Sequence, residues 1–129
     1  DKISKEEYGC GSPFDWLDKE FKYDSITIYQ CGNRKYISNG NMCLLTEFKM
    51  KGNTLYMDDG KIILNENTTL TQFTNYFFES VEIAERESKV DPNGDAVISV
   101  YFKCNFDDEW IFTFKNDRPA SVKLWWLLC

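Results

Sequence analysis

The sequence predicts an α+β fold: an antiparallel β-sheet meander with one or two short helices packed on one face. Three observations carry the prediction. Over much of the second half, apolar and polar residues alternate at period two, the spacing of a half-buried strand. Ile98, Val100, Phe102, Cys104 and Phe106 alternate with Ser99, Tyr101, Lys103 and Asn105, and similar runs follow at 110–115 and 122–128. Two shorter stretches space their apolar residues at helical intervals instead. Aromatic residues make up 16% of the 129, a composition that favours strands. The length suits one domain, 1–129.

Residues 1–11 are polar, contain Gly9 and Gly11, and read as a flexible arm. Ser12-Pro13 suits a helix start, with Ser as N-cap and Pro in the first turn. Phe14, Leu17 and Phe21 continue it as an amphipathic helix over 13–21. From Ser25 the period changes to two, with turns at Gly32-Asn33 and Asn39-Gly40-Asn41. Met42, Leu44, Phe48 and Met50 are expected on one strand face, with Glu47 and Lys49 on the other. Asp58-Asp59-Gly60 joins Thr54–Met57 to Lys61–Leu64 as a hairpin. Thr69-Leu70-Thr71-Gln72 is a capping box. It opens a helix with the stripe Leu70, Phe73 and Phe77, ending near Phe78.

Opposed residues of an antiparallel pair share a face, so the meander's register can be worked out from parity. Three-residue loops, Asp107-Asp108-Glu109 and Asp117-Arg118-Pro119, put Cys104 opposite Phe112, Phe112 opposite Leu124 and Trp110 opposite Trp126. The same register aligns Tyr101 with Lys115, Lys103 with Thr113 and Lys123, and Ile111 with Trp125. The apolar face is covered by the Leu70/Phe73/Phe77 helix. On the other face Tyr101, Lys103, Ile111, Thr113 and Trp125 form a candidate partner-binding patch of hot-spot composition. The plainer reading is that the 13–21 helix or the arm covers this face and Trp125 is core. The acidic turns add a second candidate set, Asp91, Asp95 and Asp117 at one end and Asp107, Asp108 and Glu109 at the other. Such turns are most often only solvated; they can also enter a basic cleft.

Composition restricts the chemistry. The sequence has no histidine, which removes Ser-His-Asp triads, Cys-His dyads and His-ligated metals. No Gly-rich phosphate loop occurs. No catalytic residue, cofactor or metal site is expected, and the protein is read as a non-enzyme. A net charge of −6 makes nucleic acid a poor partner and a basic protein a good one. Self-association into a homodimer stays open. No 18-residue apolar run exists to span a membrane. Five cysteines, Cys10, Cys31, Cys43, Cys104 and Cys129, are ordinary for an exported protein with disulfides. A start at Asp1 fits removal of a signal peptide, and a periplasmic or otherwise exported location is expected.

Residues 61–128 run as Lys61-Ile62-Ile63-Leu64, a Thr-rich cap, a short helix and three strands ending in Trp-rich segments. This order resembles small bacterial envelope proteins with BamE-like or β-lactamase-inhibitor-like folds. It is also similar to immunity proteins that neutralise interbacterial toxins. The resemblance implies an immunity or inhibitor protein that occludes a toxin's active site, or alternatively a structural or assembly module of the cell envelope. It carries over no functional residue by motif.

Overall fold

The computed structural model describes residues 2–7, 25–38, 43–101 and 109–125. Nine strands and two short helices are described: β1 (Lys2–Glu7), β2 (Ser25–Cys31), β3 (Arg34–Ser38), β4 (Cys43–Lys49), β5 (Thr54–Met57), β6 (Ile62–Asn65), α1 (Leu70–Tyr76), α2 (Phe78–Arg86), β7 (Ala96–Tyr101), β8 (Glu109–Lys115) and β9 (Arg118–Trp125). Seven strands form one antiparallel sheet in the order β1-β2-β3-β4-β9-β8-β7, and β5 and β6 form a separate hairpin. The chain runs as a four-strand meander, leaves the sheet for the hairpin and helices, and returns as a three-strand meander. β9 docks on β4 and joins the two halves. The sheet, hairpin and short helices make this an α+β fold. The expected helix over 13–21 lies outside the described residues.

One rung shows how period-two alternation builds the core. Ile98, Phe112, Val122 and Phe48 are consecutive partners across β7, β8, β9 and β4, and all four are buried. Met50, Leu64, Phe73, Val81, Ala84, Ala96, Val100 and Phe114 complete the cluster. Helix α1 is positioned by its capping box. The Thr69 side-chain oxygen accepts from the Gln72 amide at 3.0 Å, and the Gln72 side-chain oxygen accepts from the Thr69 amide at 2.9 Å. That cap aims Phe73 at the sheet, where its ring lies 4.8 Å from Phe77 and 5.0 Å from both Phe112 and Phe114.

Several expectations are corrected. Residues 2–7, read as part of an arm, form edge strand β1 against β2; a polar, charged strand is what a sheet edge tolerates. Beyond Phe77 the chain starts a second helix, α2, which buries Val81 and Ala84. The expected common face of Leu44 and Phe48 is broken by a β-bulge. Lys35 pairs with Glu47 but Tyr36 pairs with Leu45, leaving Thr46 as the extra residue. Its hydroxyl donates to the Lys35 carbonyl at 3.2 Å. One extra residue reverses the parity. Leu45 therefore packs on the main core, while Leu44 pairs with Ile37, itself paired with buried Ile28.

The β8–β9 connection is a two-residue turn. Asn116 and Asp117 have φ of 50° and 69°, the left-handed pair that a tight hairpin needs and that Asn and Asp tolerate. Phe114 pairs with Pro119 and Thr113 with Ser121, so Ala120 is a bulge residue. Two turn residues plus one bulge residue satisfy the same parity as a three-residue loop, with the register shifted by two. Phe112 is opposite Val122 rather than Leu124, and Trp110 is opposite Leu124 rather than Trp126. In the β7–β8 pair Ile98 takes the place opposite Phe112 that was expected for Cys104.

Cys31 and Cys43 are exposed free thiols. They cannot bridge each other. Cys31 is paired with Arg34 at one end of β3, and Cys43 with Ser38 at the other. Four residues of strand separate them by about 13 Å, well beyond disulfide reach. Cys10, Cys104 and Cys129 lie outside the described residues.

Candidate interaction surface

The second sheet face is built from the residues that alternate with the core. Its central rung runs Ser99, Ile111, Lys123, Glu47 and Lys35 across five strands. Lys35 and Glu47 form an ion pair at 3.4 Å, with both side chains about one-third exposed. The rung on one side is Val97, Thr113, Ser121 and Lys49. The rung on the other is Tyr101, Glu109 and Trp125.

Parity therefore places Tyr101, Ile111, Thr113 and Trp125 on one face, as expected, but their neighbours change. Ile111 is flanked by Ser99 and Lys123, and Trp125 is paired with Glu109 in the Tyr101 rung. Tyr101 is paired with Glu109 and not aligned with Lys115. Thr113 is flanked by Val97 and Ser121. Lys103, Asp107 and Asp108 lie outside the described residues. Tyr101 is 54% exposed and Val97 41%, while Ile111 and Thr113 are half-buried. The β2–β3 end of the same face is closed, since Ile28 and Ile37 are buried.

Asp91, Asp95 and Asp117 come together at one end of the sheet, and their backbones tie the turns to one another. The Asp91 amide donates to the Asp95 carbonyl at 2.8 Å, and the Asp117 amide to the Gly94 carbonyl at 2.9 Å. The Asp95 carboxylate accepts from the Asn116 amide at 3.0 Å, and that of Asp117 pairs with Arg118 at 3.0 Å. Two of the three carboxylates thus have structural partners. Asp91 is exposed.

Sequence reasoning missed the recess between α2 and β7. It has a volume of about 180 Å³ and is walled by Ile83, Ala84 and Glu87 on one side and Val97, Ser99 and Tyr101 on the other. Lys89 and Glu109 close it. The Glu87 carboxylate, hydrogen-bonded to Lys89 at 2.9 Å, holds the ammonium above the ordinary lysine value of 10.5, and the charges of Glu109 and Tyr101 add to this. Lys89 therefore stays a cation throughout the neutral range. Helix α2 itself is acidic, with Glu79, Glu82 and Glu85 against Arg86. The spacing of Phe77, Val81 and Ala84 was the available signal for this helix. Among the described residues no group of acidic and cysteine side chains could hold a metal ion.

Comparison with known families, curated proteins and solved structures finds no match to this chain. No described helix is long and apolar enough to cross a membrane.

Proposed function

We propose that this chain is a non-enzymatic binding protein that neutralises a basic protein partner, a toxin or other enzyme, in the manner of a bacterial immunity protein. The observation that supports it most is the exposure of Tyr101 and Val97 next to half-buried Ile111 and Thr113, with Lys, Glu and Ser at most of the neighbouring rung positions. An aromatic with a polar tip, set among apolar neighbours and ringed by charge, has the composition of a binding hot spot. The net charge of −6 favours a basic partner. An exported location is part of this proposal.

The test uses the immobilised protein to capture partners from its native cells, followed by assay of the captured protein's activity with and without the soluble chain. Stoichiometric inhibition, weakened at least about tenfold by Ile111→Asp in a folded variant, is the expected result. A captured protein whose activity is untouched at saturation would remove the inhibitor reading.

One observation favours a second reading, a structural or assembly module of the cell envelope. Tyr56 and Ile63 are cross-strand partners in the hairpin, 66% and 48% exposed. Their neighbour Leu64 belongs to the core, and Leu55, Met57 and Ile62 pack against it. The protein therefore offers apolar contacts on its hairpin layer as well as its sheet, which suits a piece held between two neighbours. Capture of two partners at once, neither of them inhibited, is its signature.

A further inference from the structure

β7 is an edge strand of the seven-stranded sheet. The Val97 amide donates to the Lys89 carbonyl at 3.0 Å, away from β8. Strand alternation then points the amide and carbonyl of Ser99 and the amide of Tyr101 the same way. Among the described residues nothing bonds these groups. They open beside the recess in which Ile83 of α2 stands across from Val97, 43% and 41% exposed.

From this geometry we infer that the outward edge of β7 at Ser99 and Tyr101, beside α2, is a strand-addition site for an extended basic peptide segment of a partner protein. Spaced, unpaired main-chain donors and acceptors on a sheet edge are satisfied in register by another extended chain, the recognition mode known as β-augmentation. The recess beside α2, about 180 Å³, takes a side chain of the added strand rather than the strand itself. Charge selects the peptide. Glu87 and Glu109 line the recess against a single cation, Lys89, which is already paired with Glu87, and the rest of α2 adds Glu79, Glu82 and Glu85 against Arg86 outside the lining. A lysine or arginine in the added strand meets this excess of carboxylate. The site shares Val97 and Tyr101 with the face proposed above but uses the main-chain edge rather than the centre of that face, so Ile111→Asp separates the two.

The experiment selects a displayed library of short random peptides on the intact protein and then measures amide hydrogen exchange with the enriched peptides bound. Enriched peptides are expected to alternate apolar residues with Lys or Arg. They should slow exchange at Ser99 and Tyr101 and leave Ile98 and Val100, already paired with β8, unchanged. Ser99→Pro removes the outward amide at an edge position where proline is tolerated. It should weaken peptide binding at least about tenfold, whereas Ser99→Ala retains it. Ile111→Asp, which disables the centre of the face, should leave peptide binding intact. If Ser99→Pro does not fold, exchange in the wild-type protein decides alone. The inference is overturned if no peptide is enriched, if bound peptide leaves Ser99 and Tyr101 exchange unchanged, or if folded Ser99→Pro binds normally. Protection of the same amides that rises with protein concentration alone would assign the edge to a second copy of the chain and overturn it too.

Discussion

Gly94 and Asp117 are locked backbone to backbone. The Asp117 amide donates to the Gly94 carbonyl at 2.9 Å, and a β-carbon on Gly94 would lie 2.4 Å from the Asp117 nitrogen. Gly94 also has a φ of +90°. The turn before β7 and the turn between β8 and β9 therefore meet only because residue 94 has no side chain. The Asp117 carbonyl also accepts from the Leu70 amide at 3.2 Å, so the start of α1 hangs on the same junction.

Gly94→Ala is accordingly expected to destabilise the protein by about 2–3 kcal/mol, because backbone strain and a main-chain clash act together. Gly52 has a φ of +77° but open space around it. Gly52→Ala should cost only the strain, about 1 kcal/mol. Chemical denaturation of the two variants checks the contrast. Equal losses would mean that the two turns are not in contact in solution.

Phe73 is fully buried among Phe77, Phe112 and Phe114. Phe73→Ala should cost about 3–5 kcal/mol, the usual loss for emptying a large aromatic site. Thr69→Ala removes only the cap that aims the helix and should cost about 1 kcal/mol. A Phe73→Ala protein within 1 kcal/mol of wild type, roughly the cost of losing a cap alone, would show that α1 does not cover the sheet.

How much of this was legible in the sequence follows from how local each determinant is. The capping box, the place of the hairpin turn at Asp58-Asp59-Gly60 and the inward set Ile98, Phe112 and Phe114 are written in neighbouring residues, although the turn also takes in Lys61, since Met57 pairs with Ile62. Register was legible only to parity. A loop of three and a turn of two plus a bulge at Ala120 satisfy the same alternation, and nothing in the local pattern separates them. The bulge at Thr46 has no local signal either, because Leu44-Leu45 offers an apolar residue to both faces. The candidate face was thus found as a face, but its rungs were not. The edge of β7 was invisible because an edge is defined by which strand is missing beside it, a property of the whole sheet.

The cysteines give a direct chemical readout. Cys31 and Cys43 are exposed and unpaired, so both should react with a thiol reagent in the folded, unreduced protein. Cys31→Ser and Cys43→Ser should each remove one equivalent of fast reaction. A native protein in which neither position reacts would mean that one or both are covered or oxidised, and would restore the disulfide expected from the cysteine count.

Lys89 supplies a pH prediction with a definite sign. The Glu87 hydrogen bond and charge raise its pKa above 10.5, the charges of Glu109 and Tyr101 add to this, and burial opposes it. A cation whose pKa is raised by folding contributes stability that is fully present below the unfolded value and lost as pH rises through the folded one. Lys89 should therefore add no slope to stability across the neutral range, and its contribution should fade only above pH 10.5. NMR titration of the lysine side-chain nitrogens measures this directly. Glu87→Gln removes the largest cause and should bring Lys89 back toward 10.5. Both side chains of the pair are about half exposed, so salt should narrow the difference between wild type and Glu87→Gln. A wild-type Lys89 that titrates at or below 10.5 would show that the Glu87 contact is not held in solution. The recess between α2 and β7 would then present a mobile ammonium, and the charge preference expected of an added strand would weaken with it.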